Sequence, residues 1–219
     1  MQPAPKSRYV VFLLVALAGL LTDLATKSWI FGRLGMPGEK RPIWIIDGVF
    51  AWETHLNEGA LFGVGAGWVV LLVLLSFVAV GGIGVWFVVG GAARDRLLTV
   101  CLALVTGGIL GNLYDRVGLP GLTWRGEYGG RRIGESVYAV RDWIHVLYYD
   151  SAQRETLFDW PIFNIADCLL VCGVGMLVFH AYVLEPRKRK AAEAADAASA
   201  TSDTIQDAAR HSKPAKASA

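Results

Sequence analysis

Four apolar runs, at about residues 9–29, 67–89, 97–113 and 162–184, constrain this chain more than anything else in it. About 20 apolar residues in a helix cross a bilayer core, where each backbone N–H and C=O must find its partner within the protein. The second run carries no charge, and the third is short but adequate. Only 18% of the 219 residues are charged, 54% are hydrophobic and the mean hydropathy is +0.42. A soluble domain runs nearer a quarter charged, so disorder is excluded and a water-soluble globule is disfavoured. A net charge of +2 gives no footprint for nucleic acid. The expected fold is mainly α and integral to a membrane, with four transmembrane helices.

The first run also fits a cleavable signal, with Lys6 and Arg8 ahead of it and Ala16-Leu17-Ala18 as a possible cut. The apolar stretch continues beyond that point and carries Asp23 and Lys27 at helical spacing, which favours a retained span. Basic residues near the span ends set orientation. Lys6, Arg8, Arg94, Arg96 and the cluster Arg187, Lys188, Arg189 and Lys190 fall on one side, so both termini are expected in the cytoplasm. Residues 1–186 then form the membrane domain, with outer loops at about 32–66 and 114–161. Residues 187–219 read as a basic, then Ala/Ser/Lys-rich, disordered cytoplasmic tail that can rest on anionic lipid. Cys101, Cys168 and Cys172 lie in or beside apolar runs and form no disulfide framework or metal set.

In the first outer loop two β-prone runs, 43–46 and 49–55, flank Asp47-Gly48, a hairpin signal. Trp44 and Ile46 precede the turn, and Phe50 and Trp52 follow it and share one face, expected at the lipid interface or packed on the helix ends. The second outer loop is too long to be structureless. Its run 138–149 reads as a strand or a short interfacial helix.

The informative residues are polar ones where polarity is expensive. Asp23 and Lys27 lie late in the first span, Asn112 and Asp115 end the third, and Asn164 and Asp167 open the fourth. An alternating topology brings all three groups to the outer membrane level. Residues three apart share a helix face, so each Asn-x-x-Asp sets an amide beside a carboxylate. Intramembrane carboxylates are functional candidates by default. A competing structural reading has Asp115 paired with a neighbouring base such as Arg116, and Asp167 capping its helix. Two apposed carboxylates suit acid–base hydrolysis: one stays protonated and donates, while the other takes a proton from water. The asparagines would orient them or bind the developing oxyanion. No serine-elbow, zinc-protease or nucleotide-loop motif competes.

With those residues in hand, the chain resembles the lipoprotein signal peptidases, or signal peptidase II. Five segments carry the resemblance in order: Asp23-Leu-Ala-Thr-Lys27, Asn57-Glu-Gly59-Ala-Leu-Phe62, Gly107-Gly108-Ile-Leu-Gly111-Asn112-Leu-Tyr-Asp115-Arg116, Val140-Arg-Asp142-Trp143 and Phe163-Asn164-Ile-Ala-Asp167. The resemblance implies an aspartyl endopeptidase of the bacterial inner membrane that cuts diacylglyceryl-modified prolipoproteins before the lipidated cysteine. By motif position Asp115 and Asp167 would be the catalytic pair, with Asn112 and Asn164 in support. Asp23, Lys27, Asn57, Gly59, Arg116 and Asp142 would shape the site or contact substrate. The family implies no metal or cofactor, a site at the outer leaflet, and sensitivity to globomycin-type cyclic peptides.

The chain departs from the family's pattern in the long stretches 116–140 and 143–163, in Leu61 where a small residue is common, and in the polar tail. Two readings from other classes compete. A small proton-coupled transporter would place polar residues through the full membrane depth, and spans two and four show almost none on the inner side. A structural membrane partner would not need the aspartates.

Overall fold

Each of the four apolar runs forms a helix in the computed structural model, which describes residues 4–59, 68–126, 133–150 and 155–187, together with 190 and 193. Helix α1 is Lys6–Leu34, α2 is Val69–Val88 and α3 is Arg96–Arg116. Helix α4, Ile165–Phe179, runs on through a wider π turn, His180–Leu184, so the fourth span reaches Arg187. Ala16-Leu17-Ala18 sits inside α1 without a break, as a retained span requires. The chain divides into two compact units, Met1–Met176 and Leu177–Ala219. Most of the tail expected to be disordered, and Leu61, lie outside the described residues.

Burial separates the helices by role. In α3, 61% of the apolar window is buried inside the protein, against 11% in α1 and none in α2. Side chains such as Leu14, Leu74 and Val78 therefore point outward, where hydrocarbon is the solvent that suits them. α3 is the central helix, and its start is fixed by Asp95. The Asp95 Oδ1 accepts from the N–H groups of Leu97 (2.8 Å) and Leu98 (3.1 Å), two of the donors a helix start leaves unpaired.

Lipid tails are as apolar as leucine, so close packing rather than hydrophobic gain brings spans together. Two glycines of α3 show it. A Cβ on Gly108 would lie 2.6 Å from the Ala166 carbonyl oxygen, and one on Gly111 would lie 2.5 Å from Asp23 Oδ2. Helix α4 thus meets α3 at backbone distance, and the Asp23 side chain of α1 fills the space that Gly111 leaves.

Four strands form one antiparallel sheet in the order β1-β2-β3-β4: Ile43–Ile46, Phe50–Asn57, Val140–Asp150 and Glu155–Asp159. The expected hairpin is present, with Gly48 at φ 73° in the left-handed region its turn demands. Phe50 and Trp52 lie two apart on β2 and share a face, opposite Val146 and Ile144 of β3. Trp44 opposes Ala51 while Ile46 opposes Phe50, and the bulge between them turns Trp44 to the other side. The run 138–149 is a strand, not an interfacial helix, and β4 is an addition that the sequence did not suggest.

A 29-residue helix is about 44 Å long, beyond the roughly 30 Å of hydrocarbon. The end of α1 therefore carries a docking surface outside the span. Ile30 and Leu34 pack with Trp143, Ile43, Trp52, Ile144 and Ile165. Phe31 packs with Met36, Leu56, Trp124, Val137 and Ala139. These two clusters hold β2 and β3 over the polar ends of α3 and α4.

Candidate active site

Asp23 and Lys27, one helical turn apart, are both fully buried. Lys27 Nζ has three donors, and three acceptors surround it: Asp23 Oδ2 at 2.7 Å, Asp115 Oδ2 at 3.0 Å and Asn112 Oδ1 at 3.0 Å. Asp23 Oδ1 accepts the N–H of Ala166 (2.9 Å), which ties α1 to the start of α4. Asp115 also accepts from Arg141, through the backbone N–H (3.1 Å, Oδ2) and through Nε (2.9 Å, Oδ1). Asp23, Lys27, Asp115 and Arg141 thus alternate in sign along one buried chain of contacts. A buried charge is tolerable when it is paired and hydrogen-bonded in this way.

Asn164 and Asp167 cap α4 reciprocally. The N–H of Asp167 donates to Asn164 Oδ1 (3.0 Å), and the N–H of Asn164 donates to Asp167 Oδ2 (3.1 Å). Asn112 Nδ2 donates to the other oxygen, Asp167 Oδ1, at 2.9 Å. The same Asn164 donates through Nδ2 to Asp142 Oδ1 (2.5 Å) and Asn112 Oδ1 (3.2 Å). One asparagine therefore holds Asp142 and Asp167 together.

The two Asn-x-x-Asp patterns do meet, but through their amides. The pairing expected between Asp115 and Asp167 is not the one the side chains make. Asn112 turns toward α4, while Asp115 turns toward α1 and β3, drawn by Lys27 and Arg141. Both halves of the competing structural reading are realised: Asp167 caps its helix, and Asp115 pairs with bases, though these are Lys27 and Arg141 rather than Arg116. The carboxylate beside Asp167 is Asp142, at 1% exposure, with Oδ2 buried and without a hydrogen-bond partner among the described residues. Burial pushes its carboxyl up to about 8, and the charge of Asp167 adds to the rise. Hydrogen bonds from Asn164 and Asn57 and the charge of Lys27 oppose it.

The remaining expected residues shape the rim. Asn57 Oδ1 accepts the N–H of Gly59 (2.9 Å), closing the turn after β2, and Arg116 Nη2 donates to the Gly59 carbonyl (2.9 Å). Asn57, Asn112, Arg116 and Asp167 line a cavity of about 1300 Å³. Its apolar wall comes from Leu72 and Leu75 of α2, Ile109 of α3, and Leu170, Val171 and Val174 of α4. Its polar wall carries Glu53, His55, His145 and Asp159 from the sheet. His145 sits between two carboxylates, with Nδ1 2.7 Å from Glu53 Oε2 and Nε2 2.8 Å from Asp159 Oδ1. Burial lowers the titration of His55 from its ordinary range and outweighs the opposite pull of Glu53.

Sequence reasoning missed Arg141 and this histidine–carboxylate set. A signal for Arg141 was available, since a charge inside the apolar strand stretch Ala139-Val140-Arg141-Asp142-Trp143 needs a buried partner.

Apolar spans, a carboxylate pair bridged by one amide, and a cavity with one apolar and one polar wall define a membrane enzyme of acid–base type. Comparison with known proteins makes this particular. Residues 15–183 match the family model described as signal peptidase (SPase) II. A lipoprotein signal peptidase of Rhodopirellula baltica is 42% identical over 181 residues, covering 81% of this chain and 74% of that protein. One of Bacillus subtilis is 33% identical, covering 83% and 98%. A bacterial membrane enzyme solved in meso at 2.3 Å shares the fold, with TM-score 0.60 and 23% identity over 82% of this chain and 90% of that one. The chain belongs to the signal peptidase II family, membrane peptidases that process prolipoproteins. The transporter and structural-partner readings lapse with that membership.

Proposed function

We propose that this membrane peptidase cleaves its lipidated prolipoprotein substrate with Asp142 and Asp167 as the catalytic pair, and that Asp115 is a structural anion. The observation that carries the reading is Asn164, whose amide holds Asp142 at 2.5 Å while it caps Asp167. Two carboxylates held by one amide, the charge of each acting on the other, share a proton. Asp142, its carboxyl raised to about 8, keeps that proton at neutral pH. Asp167 accepts from two N–H donors, Asn112 Nδ2 and the Asn164 backbone N–H, at the N-terminus of α4. Asp115 is taken up by Lys27 and Arg141, contacts that turn it toward α1 and β3.

The steps balance. Asp167 takes a proton from water as the water oxygen attacks the scissile carbonyl carbon, and Asp142 donates its proton to the carbonyl oxygen. The resulting gem-diol collapses as Asp167 protonates the departing nitrogen and Asp142 recovers a proton from a hydroxyl. The product acid and amine leave, and the pair returns to its starting state. Asn112 and Asn164 orient the two carboxyls, and Arg116 balances their charge near the cavity.

The lipid chains of the substrate rest on the apolar wall formed by α2, α3 and α4, and its polypeptide on the polar wall formed by the sheet. Both termini lie in the cytoplasm, as the basic residues Lys6, Arg8, Arg94 and Arg96 favour, which sets the site at the outer leaflet. Residues 1–186 are the peptidase domain, and 187–219 are a tail with no part in catalysis. A globomycin-type cyclic peptide competes for the same cavity. In vitro cleavage of a diacylglyceryl-modified prolipoprotein, read by gel shift, tests the reading. Wild type cuts, and folded Asp142→Asn and Asp167→Asn do not; cleavage by either variant at the wild-type rate refutes it.

A further inference from the structure

Arg141 is a buried cation on β3. It is 4% exposed, lies next to Asp142 on β3, and does not line the cavity. It meets Asp115 twice, through its own backbone N–H at 3.1 Å and through Nε at 2.9 Å, one bond to each carboxylate oxygen. A planar guanidinium and a peptide N–H on one residue leave the strand little freedom to slide or rotate against α3. The guanidinium also lies over the Phe31 ring at 6.0 Å, and Nη1 is 3.4 Å from Ser28 Oγ, so three sides of it are held.

We infer that Arg141 is a positioning residue for the hydrolysis: by clamping its backbone and side chain to Asp115 it fixes where the next residue, Asp142, presents its carboxyl to Asp167. The inference rests on the reading of Asp142 and Asp167 as the reacting pair. It gives Asp115 its task, as the anchor on α3 to which β3 is fastened. Position is what the pair needs, since a shift of about 1 Å away from the chemistry can cost on the order of a hundredfold in rate.

Arg141 also contributes charge. The charged groups facing Asp142 are Lys27 from α1, Arg116 from α3 and Asp167 from α4, with the His55 backbone position paired to it on β2. Arg141 and Lys27 together balance Asp23 and Asp115. Removing one cation leaves a surplus negative charge beside the pair, which makes its last proton harder to lose.

The test measures kcat, KM and the pH profile of full-length enzyme in lipid nanodiscs on a diacylglyceryl-modified peptide. Arg141→Met is compared with Arg141→Lys and with Asp115→Asn alone and combined. Arg141→Met is expected to lower kcat at least tenfold with KM within about twofold, and to move the alkaline limb to higher pH. Arg141→Lys keeps the charge but loses the paired contacts, so it leaves the limb in place while kcat falls severalfold; it carries the test if Arg141→Met does not fold. Arg141→Met added to Asp115→Asn costs little more than Asp115→Asn alone. Unchanged kcat and pH profile in folded Arg141→Met or Arg141→Lys overturns the inference, as does a rise in KM alone, which would mark a substrate contact. Asp142→Asn, run beside them, separates the two claims: wild-type activity there sinks the catalytic pair whatever Arg141 does.

Discussion

At Asp142 the structure stores a pH dependence. Its carboxyl sits at about 8 in the folded protein against 3.8 for the ordinary group. The unfolded chain therefore releases this proton first, and deprotonation favours unfolding. The stability tied to the proton is fully present below about pH 4 and is lost as pH rises toward about 8. Asp142→Asn removes that slope, so thermal unfolding in detergent across this range should show the variant gaining on wild type as pH rises. Activity has the matching limit: it falls as the shared proton is lost, with macroscopic values that belong to the pair. Asp115 behaves differently. Asp115→Asn leaves Lys27 and Arg141 short of an anion, and breaking a buried pair costs about 3–5 kcal/mol. The expected outcome is a large drop in unfolding temperature with residual cleavage in whatever fraction stays folded. The sequence showed that carboxylates would gather here, but not which two would face each other. Asn112 and Asp115 share a helix face only within a wide arc, and the turn of Asp115 toward β3 depends on Arg141, which is 26 residues away along the chain.

Among the elements, the spans were the most legible, because hydrocarbon imposes length and composition directly. Their ends moved by a few residues, and α1 proved longer because its last turns pack against the sheet, where an apolar pattern no longer signals lipid. The β1–β2 hairpin was legible from Asp47-Gly48, while the face of Trp44 was not, since nothing local announces a one-residue bulge. Strand β4 escaped because its five residues are all exposed and carry no alternating core pattern. The contact of α3 with α4 yields a prediction of its own. Gly108→Ala would place a methyl 2.6 Å from the Ala166 carbonyl oxygen, which must shift. Overpacking of this kind costs about 1–3 kcal/mol, and Asp167 lies one residue past that carbonyl. Activity should fall with stability, whereas Gly84→Ala in α2, with open space around it, should change neither.

For the whole molecule, the arrangement separates two solvents around one site. Three helices give their apolar side chains to lipid, and α3 supplies Asn112 and Arg116 to the cavity at its C-terminal end. An orientation with both termini inside predicts that a cysteine placed at exposed Leu157 in β4 reacts with a membrane-impermeant maleimide added to intact cells, and one placed at Lys6 does not. Labelling of the second site alone would invert the topology and move the cavity to the wrong leaflet for an exported substrate.

Which aspartates react is measured most directly by the single-turnover cleavage rate of Asp115→Asn beside Asp142→Asn. Both are assayed as folded protein in nanodiscs, on one diacylglyceryl-modified peptide. The prediction is a loss of at least about a thousandfold for Asp142→Asn, in keeping with removal of a general acid, and a far smaller loss for folded Asp115→Asn. The reverse order, with Asp142→Asn active and folded Asp115→Asn dead, would contradict it and return the reaction to Asp115 and Asp167.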